Sequence, residues 1–253
     1  MADETLIAWT DHTANFWIGC VKVSEGCRNC YAEKIASGKL GLDVWGAGKP
    51  RQVAKGVWQN VLAWNRAAKR DGVRRRVFCG SMMDWAEDHP TAAATRPRLW
   101  DTIRSCEWLD WQMLTKRPQR IRECLPKDWG SGGYRNVWLG TSVEDMRVAE
   151  RVDHLRDIPA VVRFISYEPA LGSLEALDIT GIDWVIYGGE SGPGYRAEDK
   201  DWARSMHRKC SETGAAFFHK QSAGYRTEMG IELDGRIVRE YPTPRSVERK
   251  VIA

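Results

Sequence analysis

The sequence predicts an α/β protein built on a parallel (β/α) barrel, complete or partial, of about six to eight strands, with a small β-hairpin near its C-terminal end. Three observations carry this reading. Short apolar runs stand at 76–79, 111–114, 136–139, 161–165, 184–187 and 216–219, with a weaker run at 16–18; they lack strict polar alternation, as strands buried on both faces do. Their starts lie about 25 to 50 residues apart, room for one crossover helix each. No Gly-x-Gly-x-x-Gly follows the first run, which argues against an open dinucleotide-binding sheet.

Between the runs, 91–106, 144–157 and 199–213 read as helices of about four turns, and Gly214 is a good stop for the last. Thr141, Ser142 and Glu144 either cap the second helix or line a cavity, since Ser or Thr ahead of Glu is a helix-start pattern. Near the end, 231–233 and 236–238 flank Asp234-Gly235, a two-residue hairpin signal. The organisation is therefore a barrel over 1–225 and a hairpin with a basic tail over 226–253, packed on the same domain.

Composition narrows the class. With 253 residues, 43% hydrophobic and 28% charged, the chain is an ordinary globular one. No apolar run is long enough to cross a membrane. Met1-Ala2-Asp3-Glu4 is acidic, unlike a secretory leader, so a cytoplasmic location is expected. A net charge of +4 permits nucleic-acid binding without requiring it. The basic stretches Lys69-Arg70, Arg74-Arg75-Arg76 and 245–250 are candidates for it, or else solvated faces and a tail. Thirteen tryptophans belong mostly to a core, with exposed ones free to stack on bases.

In a parallel barrel, sites form at the carboxyl ends of strands. Each run here is followed by a charge, a hydroxyl or a glycine: Gly80-Ser81-Met82-Met83-Asp84, Thr115-Lys116-Arg117, Gly140-Thr141-Ser142-Val143-Glu144, Ser166-Tyr167-Glu168, Gly188-Gly189-Glu190 and Lys220-Gln221. One such end is an ordinary turn. The series predicts a cavity lined by Asp84, Lys116, Arg117, Glu144, Glu168, Glu190 and Lys220. Lys116 and Arg117 suit a carboxylate or phosphate. Gly188 and Gly189 let backbone approach a ligand, and Glu190 suits an ammonium or a ribose hydroxyl.

Of seven cysteines, Cys20, Cys27 and Cys30 share one short stretch with Gly19 and Gly26. In a reducing compartment such a group reads as metal-binding or catalytic. A Cys-x-x-Cys pair with one further cysteine upstream is a common way to hold a metal or an iron–sulfur cluster, and three ligands leave one position open. Zinc needs a fourth ligand, for which Cys79 and His12 are the candidates. Cys106, Cys124 and Cys210 read as buried helix residues, and His219 as a core histidine.

A cysteine triplet after the first strand of a parallel barrel resembles the radical S-adenosylmethionine superfamily. More narrowly, Asn15-Phe16-Trp17-Ile18-Gly19-Cys20, Val23-Ser24-Glu25-Gly26-Cys27-Arg28-Asn29-Cys30-Tyr31-Ala32-Glu33, Tyr167-Glu168-Pro169-Ala170-Leu171-Gly172 and Gly188-Gly189-Glu190-Ser191-Gly192 resemble the phage and bacterial three-cysteine-motif proteins over about residues 9 to 225. The resemblance implies a [4Fe-4S] cluster on Cys20, Cys27 and Cys30, with S-adenosylmethionine on its open iron. It implies an external electron donor such as a flavodoxin or ferredoxin, and a nucleotide or nucleic acid as substrate. By position, Ser81 and Asp84 fall to the methionine part, Ser142 and Glu144 to ribose, and Gly188, Gly189 and Glu190 to the rest of the cofactor. Glu168, Glu190 and Lys116 are the catalytic candidates. The chain departs from the superfamily in the six residues between Cys20 and Cys27, and in placing Gly-Gly-Glu after the sixth strand rather than the second.

Two other readings stay open. One is a nucleic-acid-binding protein with a structural iron–sulfur or zinc site. The other is a barrel hydrolase using Glu144, Glu168 or Glu190 as acid and base.

Overall fold

The computed structural model describes residues 5–245. Seven parallel strands form one sheet: β1 (His12–Ala14), β4 (Arg75–Cys79), β5 (Leu109–Thr115), β6 (Val137–Ser142), β7 (Val162–Tyr167), β8 (Trp184–Gly188) and β9 (Ala216–Gln221), in that spatial order. Two more, β2 (Trp17–Ile18) and β3 (Gln52–Val53), make a small antiparallel pair. Among the described residues β1 and β9 do not pair, so the barrel stays open. The helices are α1 (Tyr31–Lys34), α2 (Val57–Asp71), α3 (Pro90–Ser105), α4 (Ile121–Cys124), α5 (Arg151–Arg156) and α6 (Lys200–Thr213). None among the described residues is long and apolar enough to cross a membrane.

The curl is evident from one side chain. Trp9 packs on Phe78 of β4 at 4.5 Å between ring centroids and on Trp184 of β8 at 6.1 Å. Those strands are four places apart, about 19 Å in a flat sheet. One indole touches both only because the sheet bends into a half-barrel. Its concave floor is aromatic: Trp9, Phe78, Trp138, Phe164, Trp184 and Phe218 form one buried cluster. The convex face meets the helices, with Val77, Trp111, Leu139, Val185 and Phe217 against Trp58, Leu99, Leu155 and Met206.

Several sequence expectations are corrected. The first strand of the sheet is β1 and not the 16–18 run: Trp17 and Ile18 turn away to pair with Val53 and Gln52. His12-Thr13-Ala14 carries no apolar run, so only its pairing with Val77, Phe78 and Cys79 reveals it. The helix expected over 144–157 is a 3-10 turn, Met146–Val148, followed by the short α5. Asp145 caps that turn through the Arg147 amide, whereas Thr141 and Ser142 lie within β6. The 15-residue α2 was not expected, although Trp58, Val61, Trp64 and Ala68 mark a buried helical stripe ending at Gly72.

The hairpin is present in reduced form. Leu233 and Arg236 exchange backbone bonds of 2.9 and 3.1 Å around Asp234 and Gly235, both with positive φ. The chain then runs antiparallel to β9, with the His219 amide donating to the Val238 carbonyl at 2.8 Å, and so covers that edge. Residues 246–250 of the basic tail lie outside the described residues.

Gly140, on the concave face of β6, has no room for a side chain: a Cβ there would be built into the Phe164 ring. Phe164 is itself wedged against Trp9 and Trp184. Gly140→Ala is expected to destabilise the protein by about 1–3 kcal/mol through overpacking, read as a lower urea midpoint at unchanged slope.

Candidate functional site

The cysteine loop leaves β2 at Gly19 and closes over the carboxyl ends of the strands. Gly19 has φ +121° and a Cβ there would strike the Val44 carbonyl, so only glycine fits. Cys20 follows directly, Cys27 ends a 3-10 turn, and Cys30 precedes α1. All three thiols are free and partly exposed. Burial, with Asp84 adding to it, pushes the Cys20 thiol up to about 12; burial also raises Cys30. Cys79, Cys106, Cys124 and Cys210 are buried and lie in the helix-side core.

The strand-end residues are brought to this loop, and most are spent holding it. Asp84 accepts from Thr115 Oγ1 at 2.6 Å, from the Ala86 and Lys116 amides, and from Arg117 Nη1 at 2.7 Å. Arg117 reaches on to the cysteine loop, where Nη2 donates to the Val21 carbonyl at 2.8 Å. Glu144, almost fully buried, accepts from Ser24 Oγ at 3.1 Å, from Lys116 Nζ, and from Arg151 Nη1 at 3.0 Å. It lies directly beneath Gly26, where a Cβ would collide with it. Glu190 binds Asn29 Nδ2 at 2.9 Å and takes a two-pronged bond from Arg196, whose Nη1 also meets Glu25 at 2.9 Å.

The remaining candidates lie close by. Ser81 Oγ accepts from Asn15 at 2.7 Å, and its carbonyl takes the Tyr31 hydroxyl at 3.0 Å. Ser142 is buried, its carbonyl bound by Arg151 at 2.9 Å. Glu168 pairs with Lys220 at the mouth. Gly188 sits against the Glu168 carboxyl, 3.0 Å from where its Cβ would stand. Gly189 lacks a side chain for a local reason: a Cβ would collide with the Ala223 backbone.

Sequence reasoning missed Arg51, Glu87, Arg151, Asn29 and Arg196. Arg51 and Glu87 form a forked pair at 2.8 and 2.9 Å with side chains 0% and 3% exposed. Nothing in the local pattern marks Arg51, which lies far from any apolar run. Glu87 had a faint signal, three residues after Asp84.

The basic stretch Arg74-Arg75-Arg76 stands elsewhere. Arg75 and Arg76 open β4, so they lie at the opposite end of the strands from the cysteines. Arg74 pairs with Asp110, Arg75 with Asp71 and Arg76 with Asp11. A cavity of about 210 Å³ is lined by Val23, Ser24, Glu25 and Gly26 of the loop and by Glu144, Asp145, Arg147 and Val148.

As a donor set, three thiols without a histidine among them suit a thiophilic group. Among the described residues, no three His, Cys, Asp or Glu side chains stand at the spacing of one metal ion. The fourth zinc ligands considered are placed otherwise: Cys79 is in the helix-side core and His12 stacks on Trp64 of α2 at 4.3 Å.

Fold and site together define an α/β half-barrel protein with a thiol-bearing loop over its carboxyl mouth. A family model described as a protein of unknown function (DUF5131) matches residues 4–242, and the chain belongs to that family. No curated protein and no solved structure matches it.

Burial disfavours charge on Glu144, but Lys116 and Arg151 outweigh this and hold its carboxyl below the usual range. A group depressed in the folded state contributes stability above its unfolded value, lost as pH falls through the folded one. Glu144→Gln is therefore expected to cost on the order of 3 kcal/mol at neutral pH, by leaving Lys116 and Arg151 unmatched. It is also expected to flatten the acid limb of stability. Urea midpoints of both proteins across the acid range check this.

Proposed function

We propose that Cys20, Cys27 and Cys30 hold a [4Fe-4S] cluster and that the chain is a radical S-adenosylmethionine-type enzyme acting on a nucleotide or nucleic acid. The observation that carries the reading is the convergence of Arg117, Glu144 and Glu190, from three different strand ends, on one loop bearing three thiols. A loop so restrained holds its donors ready for a bound group. When bound, such a cluster supplies electrons from a donor such as a flavodoxin or ferredoxin, and an open iron for the cofactor. A cytoplasmic setting accords with reduced thiols.

The chain's own residues then bind and orient. Lys220 and Glu168 are partly exposed at the mouth and can hold or pass a proton between ammonium and carboxylate. Lys116 is a further mouth cation, tethered through Glu144. Ser81 stands after β4 with its carbonyl on the hydroxyl of Tyr31, the residue after Cys30, and Asp84 is buried against Arg117, which reaches Cys20. The substrate class rests on the family resemblance, because the basic residues of β4 lie at the far end of the sheet.

The hydrolase reading fits less well at Glu144 and Glu190. A general acid needs a raised pKa. Glu144 and Glu190 are both held below the usual carboxylate value, burial notwithstanding, Glu190 by its bonds to Arg196 and Asn29.

Anaerobic purification with iron, sulfide and zinc quantified tests the proposal. The expected result is about four irons and four sulfides per chain, with a visible spectrum that changes on adding S-adenosylmethionine. One zinc and no sulfide would overturn it. Cys30→Ala is expected to lose the colour and the sulfide while keeping the wild-type circular dichroism.

A further inference from the structure

Arg117 stands between the cysteine loop and a buried charge network of Asp84, Glu87 and Arg51. It follows β5, and its side chain is 8% exposed. Nη1 lies 3.7 Å from Cys20 Sγ, and Nη2 donates to the next carbonyl, that of Val21, at 2.8 Å. One planar group thus grips a thiol and the backbone beside it, as a guanidinium fork can and an ammonium cannot.

The grip is anchored from behind. Nη1 also meets Asp84 Oδ2 at 2.7 Å, and Nη2 stands 3.7 Å from Glu87. Asp84 is fixed by Thr115 and two backbone amides. Glu87 is fixed by the fork from Arg51, which donates in turn to the carbonyls of Val44, Lys49 and Pro50. Two cations and two carboxylates balance, and neither arginine can surrender its charge. Such a network is costly to bury, and it leaves Arg117 one orientation, toward Cys20.

We propose that Arg117 is a positioning residue that holds Cys20 in place as a cluster ligand and, by donating to its sulfur, raises the cluster's reduction potential. This rests on the cluster reading above. The physical basis is that the reduced cluster is the more negative form. A fixed cation and hydrogen bond at a ligand sulfur stabilise that form more than the oxidised one.

The test compares wild type, Arg117→Lys and Arg117→Ala after anaerobic reconstitution. Each is assayed for iron and sulfide, for midpoint potential by a titration followed by electron paramagnetic resonance, and for bleaching by a chelator. Arg117→Ala is expected to titrate at a more negative potential and to bleach on the order of tenfold faster. Arg117→Lys keeps the charge but not the fork, so its potential is expected nearer wild type while its bleaching stays fast. If the alanine variant does not fold, the lysine variant's bleaching carries the decision. Wild-type potential and bleaching in the folded variants would overturn the proposal while leaving the cluster reading intact. No iron or sulfide in the wild type would overturn both.

Discussion

The pairing of Arg117 with Asp84, nearly out of water, is the constraint on which the mouth of the half-barrel depends. A buried guanidinium without a carboxylate is too costly to keep, and a buried carboxylate without a cation equally so. Asp84 ends the β4 segment and Arg117 the β5 segment, so their contact draws two strand ends together. Glu87 and Arg51 complete the charge balance and tie in the segment before β3. The loop over the mouth has few apolar anchors: Val23 is exposed, and Ser24, Glu25 and Asn29 are polar. Directional polar bonds therefore hold what hydrophobic burial cannot.

Beneath that rim the half-barrel is divided by depth. The concave floor is filled by aromatic rings that meet at tilted and edge-on angles, and Trp9 plugs the space between distant strands. Above the floor the inward residues become small or polar, with Gly140, Ser142, Ser166 and Gly188 toward the carboxyl ends. The floor supplies stability, and the rim carries the groups with chemistry. Because the sheet does not close, a segment must guard its edge, and the chain after the Asp234-Gly235 turn does so beside β9.

The same contacts bear on function. Carboxylates at a barrel mouth invite an acid–base reading, yet Glu144 and Glu190 are each matched by cations and by a polar side chain of the loop. They act as fixed anions that orient a thiol-bearing segment. The three free thiols and the Lys220–Glu168 pair also stand at the mouth.

The period and spacing of apolar runs determined the parallel sheet and most of its strands, because strands buried on both faces must be continuously apolar. Gly214 and Asp234-Gly235 determined a helix stop and a turn, because positive φ is a local property. The cysteine spacing likewise determined which thiols share a loop. Three features were decided only by tertiary structure. β1 is too short and polar to show a pattern and exists by pairing with β4. The open curl is seen in Trp9 touching strands four places apart. The partners of Asp84, Glu144 and Glu190 include Arg117, Ser24 and Asn29, from distant parts of the chain. Local sequence can say that a strand end is polar; which opposite charge it meets depends on how the strands are stacked side by side.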